Sequence, residues 1–290
     1  MKSSIICSLE ELVANYVNTA EHNDALYRQM TALTWSDPQL SEHRRYVEEN
    51  KLGFGDPAFH SMWLRIMIAA ERRFGSLRML EIGVFKGQII SLWKMISEEY
   101  CIDLRISAIT PLKGQPKHRF EFINRLRSWV NRGFREKIVN GNFYENDDYE
   151  RIIRDLFLRF DLSFDSVNLH RGFSTDRRVI EEVGRETFHV VYVDGDHTLA
   201  GALHDFKVYG SRVLVGGFLI ADDAGCSVPG TTFWKGHKSV ATAAETLPSL
   251  GFRNILNVGH NRIYERVSTN GPSHGVHNPQ EIKQTLRVWM

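Results

Sequence analysis

Two apolar runs in this chain end in acids. Val190 to Val193 leads into Asp194, Asp196 and His197, and Val213 to Ala221 leads into Asp222 and Asp223. Such runs read as buried strands, and in an open α/β sheet ligands bind beyond the carboxyl ends of the strands. Asp194 precedes Asp222 and Asp223 by 28 and 29 positions with a helical stretch between, so the three carboxylates are expected at the ends of adjacent strands. Carboxylates converging on one pocket repel one another, and a divalent cation resolves the conflict. Mg2+ suits them, because it takes oxygen ligands and leaves positions for water and substrate. The alternative is that Asp222 and Asp223 cap a helix or bind loop amides while Asp194 orders its turn. Asp196 and His197 compete as the base. An imidazole with an ordinary pKa of about 6.5 accepts a proton at neutral pH more readily than an aspartate at about 3.9, which favours His197, unless neighbouring acids raise Asp196.

A second stretch, Arg78 to Gln88, reads as a buried strand entering a glycine-hinged turn and then a helix, with Glu81 as a carboxylate inside the apolar run. Gly83 and Gly87 are residues that take positive φ or let a ligand approach the backbone. The spacing is E-x-G-x-x-x-G, not the G-x-G-x-x-G of dinucleotide folds.

Together these segments resemble the class I S-adenosylmethionine (SAM) methyltransferases: the E-x-G-x-x-x-G turn is similar to their first motif, and YVDGDH paired with GGFLIADD is similar to members that modify small molecules. The resemblance covers residues 76–267 and implies an α/β fold with a doubly wound, mostly parallel, seven-stranded Rossmann-like sheet. It implies SAM binding by Glu81, Gly83, Lys86, Gly87 and Gln88, with Asp194 shared between cofactor and metal. Thr110 stands where many members carry an acid for the ribose, and Gly172, Phe173 and Ser174 fall near the expected adenine. The implied activity is O-methylation of a small-molecule acceptor, with Asp194, Asp222 and Asp223 holding Mg2+ or another divalent cation as in the catechol and sugar enzymes. His197 lies where the catechol enzymes place a base, and Asp196 where some sugar enzymes do.

The elements that must position these residues follow in order. Residues 1–75 read as a helical extension: one helix of five or six turns from Leu9 to Met30, and another from the Asp56-Pro57 start signal to Gly75. The extension is open to three uses: covering a substrate site, forming a homo-oligomer contact, or packing on the sheet. Leu104 to Thr110 and Val167 to Phe173 read as further strands, and Phe252 to Val258 with Arg262 to Val267 as a closing antiparallel pair. A basic insert at 113–140 interleaves Lys and Arg with aromatics. Its helical spacing predicts one packed face and one solvated basic face, so nucleic acid is not expected as a partner. Residues 268–290 read as a mobile tail.

Composition fits a soluble globular protein: hydrophobic residues are 42%, charged residues 24%, and the formal charge is +1, which gives no overall pull toward nucleic acid. Cys7, Cys101 and Cys226 form no C-x-x-C pair and are expected as buried free thiols. No apolar stretch approaches the roughly 18 residues of a membrane span, and no charged leader precedes an apolar block, so a cytoplasmic location is expected. The competing classes are a nucleic-acid or protein methyltransferase using the basic insert, and a non-catalytic protein keeping the cofactor fold.

Overall fold

A computed structural model describes residues 7–112, 121–131, 135, 147–184 and 186–268. Seven strands form one sheet in the order β3-β2-β1-β4-β5-β7-β6. These are β1 (Leu77–Ile82), β2 (Leu104–Thr110), β3 (Val167–Arg171), β4 (Phe188–Val193), β5 (Val213–Ala221), β6 (Phe252–Val258) and β7 (Asn261–Arg266). All pairings are parallel except those of β7, which runs antiparallel to both β5 and β6. Every residue of β4 is buried, as expected of a central strand covered on both faces. The reversal of strand order between β1 and β4 opens a crevice at their carboxyl ends, where β1 is in register with β4 from Met79↔Val190 to Ile82↔Val193.

The N-terminal region departs from the expected pair of helices. It forms α1 (Leu9–Ala14), α2 (Ala20–Ser36), α3 (Pro38–Glu49) and α4 (Pro57–Phe74). The single helix expected from Leu9 to Met30 is broken because Thr19 caps a new start, its side chain accepting from His22 N at 3.3 Å. Tyr16 and Asn18 then pin the break to β6 through Asn257 and to α2 through Asn23. The sequence reading also missed α3, although Asp37-Pro38 is a start signal: Asp37 Oδ1 accepts from Gln39 N and Leu40 N at 3.0 and 2.9 Å. Nor is α4 an appendage. Phe59, Trp63, Ile66 and Met67 are fully buried in the main apolar cluster with Val190, Phe218 and Ile263 of the sheet, so α4 is one of its covering helices.

The remaining helices are α5 (Gln88–Glu99), α6 (Glu121–Val130), α7 (Tyr149–Arg159), α8 (Arg177–Val183), α9 (Leu199–Val208) and α10 (Lys238–Ala244). Much of the basic insert lies outside the described residues. Within α6 the expected packed face is instead exposed, with Phe122, Leu126 and Trp129 on the surface. The tail beyond Ser268 also lies outside them. Cys101 and Cys226 are free thiols but exposed rather than buried, and Cys7 is intermediate. Among the described residues no helix is long and apolar enough to cross a membrane.

Candidate active site

The carboxyl ends of β1, β4 and β5 and the β6–β7 turn enclose a cavity of about 410 Å3, within the usual range for small-molecule sites. Backbone pairing positions its acids. Asp194 N donates to Ile82 O at 2.9 Å and Asp222 N to Val193 O at 3.1 Å, so each continues the ladder one residue past its strand. Asp223 takes φ +55°, a left-handed conformation that Asp tolerates better than most residues, and this turns its carboxyl group back toward Asp222. Its carbonyl accepts from His237 N at 2.8 Å, which brings the loop before α10 over the site. The mouth carries aromatics: Phe54, 90% exposed, lies against Phe85 at a ring separation of 5.2 Å, and Trp234 stands edge-on to His237 and His260.

Three imidazoles meet these carboxylates. His197 Nε2 is 3.5 Å from Asp194 Oδ1 and 3.3 Å from Asp223 Oδ2, and His237 Nε2 is 3.7 Å from that same Oδ2. On the other side, His260 Nε2 lies 3.3 Å from Asp222 Oδ1 and 3.5 Å from Asp223 Oδ1. The ligand-type atoms of Asp222, Asp223 and His260 all fall within 4.8 Å of one another, as do those of His197, Asp223 and His237. Burial sets the electrostatics. It raises Asp194 well above the usual carboxylate range, with repulsion from Asp222 added, and raises Asp223 to about 7 for the same two reasons. Burial opposes ionisation of Asp222 as well, but the His260 imidazolium beside it outweighs that and holds Asp222 low, while His260 itself rises to about 9 against its own burial. Glu81 is pushed well up by burial, then by Asp194 and Asp222. The pocket therefore carries more carboxyl groups than it can ionise without added positive charge.

Residues 80–224, half of the chain, match the family described as a methyltransferase domain. The chain belongs to this methyltransferase family. Its sheet order and single antiparallel strand are those of the class I, SAM-dependent fold that the sequence motifs resembled. Solved structures share the fold at low identity. A provisionally assigned caffeoyl-CoA O-methyltransferase from Staphylococcus aureus is 14% identical with a TM-score of 0.54, over 84% of this chain and 100% of that one. A provisionally assigned O-methyltransferase from Klebsiella pneumoniae is 13% identical with a TM-score of 0.52, over 86% and 99%. The O-methyltransferase NovP is 17% identical with a TM-score of 0.50, over 71% and 80%. No curated protein matches the sequence significantly.

Of the residues singled out in the sequence, the methyltransferase brings Glu81, Gly83, Gln88, Asp194, His197, Asp222 and Asp223 to the one cavity. Lys86, Gly87, Thr110, Phe173, Ser174 and Asp196 do not line it. Lys86 Nζ points to Asp147 Oδ2 at 3.9 Å, and Thr110 Oγ1 accepts from Leu112 N at 3.2 Å. Phe173 N donates to Asp176 Oδ2 at 2.8 Å, while Ser174 O accepts from the Tyr209 hydroxyl at 2.7 Å. Asp196 Oδ1 accepts from Thr198 N at 2.9 Å and packs on Gly201, so that carboxyl group serves the start of α9. His237 and His260 went unrecognised, and neither sits in a motif. The Leu52–Gly55 loop, which joins the N-terminal helices across Gln88, also lines the cavity.

Backbone packing explains both glycines of the opening turn. Gly83 has φ +97°, and a Cβ there would overlap the Asp194 carbonyl; Gly87 has φ +87° and its Cβ position crowds Ile153 at 3.0 Å. Gly83→Ala is therefore expected to destabilise the fold by about 2–3 kcal/mol, combining positive-φ strain with displacement of the β4 end. Urea unfolding measures it, and a variant within 0.5 kcal/mol of wild type (about the scatter of neutral surface changes) would contradict the packing.

Proposed function

We propose that this methyltransferase transfers the methyl group of SAM to a hydroxyl of a small-molecule acceptor, with a divalent cation at Asp194, Asp222 and Asp223 and with His197 as the base. The observation that carries the reading is the convergence of those four side chains on one aromatic-rimmed cavity of about 410 Å3, a compartment suited to a small molecule rather than a polymer. For the cofactor, the fit rests on Glu81. Its Oε2 is buried with no hydrogen-bond partner at the edge of the cavity, which suits the cationic ammonium of the methionine moiety. Gln88 Nε2 is likewise buried without a partner beside it. For the cation, the fit rests on the excess of carboxyl groups described above.

When bound, SAM supplies an electrophilic methyl group on a sulfonium, and a divalent cation lowers the pKa of a coordinated hydroxyl. The chain's own part is alignment and proton removal. The cavity walls hold the acceptor oxygen in line, a contribution worth up to about 7–11 kcal/mol in well-oriented systems. The His197 ring takes the hydroxyl proton on Nδ1, while Nε2, 3.5 Å from Asp194 Oδ1 and 3.3 Å from Asp223 Oδ2, faces the carboxylates that orient the ring and stabilise the resulting imidazolium. Phe54 and Phe85 offer an apolar surface at the mouth against which an acceptor can rest.

Calorimetric titration of SAM and its demethylated product into wild type and Glu81→Gln tests the cofactor site. Affinity is expected to fall about 10-fold or more in the variant, as for loss of a charged hydrogen-bond acceptor. Transfer of a radiolabelled methyl group is expected with hydroxylated small molecules, catechols and vicinal diols among them, and not with RNA or protein. Equal affinities in the two proteins, or label found only in polymer, would reject the reading.

A further inference from the structure

The donor set at the ends of β5 and the β6–β7 turn is not one that Mg2+ favours. We propose that the cation is a first-row transition metal held by Nε2 of His260 with the carboxylates of Asp222 and Asp223, and that this imidazole makes the site discriminate against Mg2+. The proposal rests on the reading that a cation occupies the strand ends, and it adds which class of cation and through which residue.

Three observations carry it. His260 Nε2 is 3.3 Å from Asp222 Oδ1 and 3.5 Å from Asp223 Oδ1. Charge-assisted hydrogen bonds between these groups would close to about 2.7–2.9 Å. Neighbouring ligand atoms on one ion with bonds of about 2.0–2.1 Å stand roughly 2.9 Å apart in an octahedron and 3.3–3.4 Å apart in a tetrahedron, so the observed spacing accommodates shared ligation. Next, Asp222 Oδ1 is buried and faces the His260 imidazole at 3.3 Å without a closed hydrogen bond, an arrangement that a cation shared by the two would complete. Finally, the His260 ring is aimed by packing. It lies edge-on to Phe59 at 4.7 Å and to Trp234 at 5.1 Å, and its backbone rests so close on Gly225 that a side chain there would stand 2.7 Å from it. A buried imidazole fixed toward two carboxylates suits Zn2+, Fe2+, Co2+ or Mn2+, whereas Mg2+ takes oxygen donors and keeps its waters. His197 and His237, stacked at 4.7 Å and facing the second oxygen of Asp223, place more nitrogen donors on the open side.

The test uses the full-length protein stripped of metal. Mg2+, Mn2+, Co2+ and Zn2+ are titrated into wild type and His260→Asn, and the Mn2+-loaded proteins are examined by pulsed electron paramagnetic resonance for a directly bound imidazole nitrogen. Nearly all sites favour later transition metals, so the preference ratio between proteins is what decides. The ratio of Co2+ to Mg2+ affinity is expected to fall at least about 10-fold in His260→Asn with Mg2+ affinity little changed, and the nitrogen signal of wild type is expected to weaken. An unchanged ratio, or no coordinated nitrogen in wild type, overturns the proposal; the second result needs no variant to fold. If SAM's demethylated product binds but no cation does, this inference fails while the methyltransferase reading stands. If neither binds, the reading beneath it fails too.

Discussion

Asp223→Asn is expected to lower kcat by about 100-fold or more while leaving affinity for demethylated SAM within about three-fold. Asp223 is the residue on which both halves of the site depend: Oδ1 faces His260 at 3.5 Å, and Oδ2 faces His197 at 3.3 Å and His237 at 3.7 Å. Asparagine keeps the size of the side chain and accepts the φ of +55°, so the turn and its bond to His237 N survive. What is lost is the negative charge. A cation would lose a ligand, and the base would lose the carboxylate that orients it, whereas Glu81 and the opening turn, proposed to serve the cofactor, are untouched. Steady-state rates on whichever catechol or diol proves to be an acceptor, with calorimetry and a thermal midpoint on the same preparations, separate these effects. A folded Asp223→Asn enzyme keeping more than about a third of wild-type kcat would remove Asp223 from the mechanism.

The central strands β1, β2, β4 and β5 were legible because their apolar runs are nearly continuous and each is closed by Gly, Pro or acid, and the runs at β1, β4 and β5 carried their acids in plain view. The shared location of Asp194, His197, Asp222 and Asp223 followed from that pattern, and the seven-stranded fold from the family resemblance of the motifs. The helical extension was read less well. A capping Thr19 inside an otherwise helical period is a weak local signal, and the break it starts is stabilised by Asn257 on β6, 238 positions later in the chain (257 − 19). Asp196 was legible as an acid near the site but not as a carboxyl group turned onto Gly201, because direction just past a strand end is fixed by the next helix. His237 and His260 could not be found from sequence: each is one histidine in a loop of ordinary composition, and only the closing of the β6–β7 turn over Gly225 brings His260 to Asp222.

Two histidines outside the cavity are expected to make a contribution to stability that is lost below about pH 6.5, opposed by the cavity's raised carboxyl groups, which take up protons in the folded state first. His43 on α3 and His60 on α4 are both fully buried, with His43 Nδ1 3.0 Å from His60 Nε2 and His43 Nε2 3.0 Å from Ser91 Oγ. Ser91 in turn donates to Gln88 O at 3.0 Å, and this fixes the protons. Because the Ser91 hydroxyl points at a carbonyl, His43 Nε2–H must donate to Ser91 Oγ, which leaves His43 Nδ1 to accept from His60 Nε2–H. The chain of bonds is complete with both rings neutral, and burial opposes charging either. Burial, then the Arg44 charge, lowers His43 to about 3; burial, then His43 and Arg44, takes His60 well below its ordinary value. A folded-state pKa depressed in this way means that between about pH 6.5 and pH 3 the unfolded chain binds protons the native one refuses. The contribution of these rings is thus fully present above pH 6.5 and falls as pH drops, by up to about 1.4 kcal/mol per unit for each ring. In urea unfolding, the change in stability from pH 7.5 to pH 5 should be less favourable by about 2–4 kcal/mol in wild type than in a His43→Asn/His60→Asn double variant, whatever the variant's absolute stability. The same pH dependence in the two proteins would mean that these rings are charged or exposed in solution.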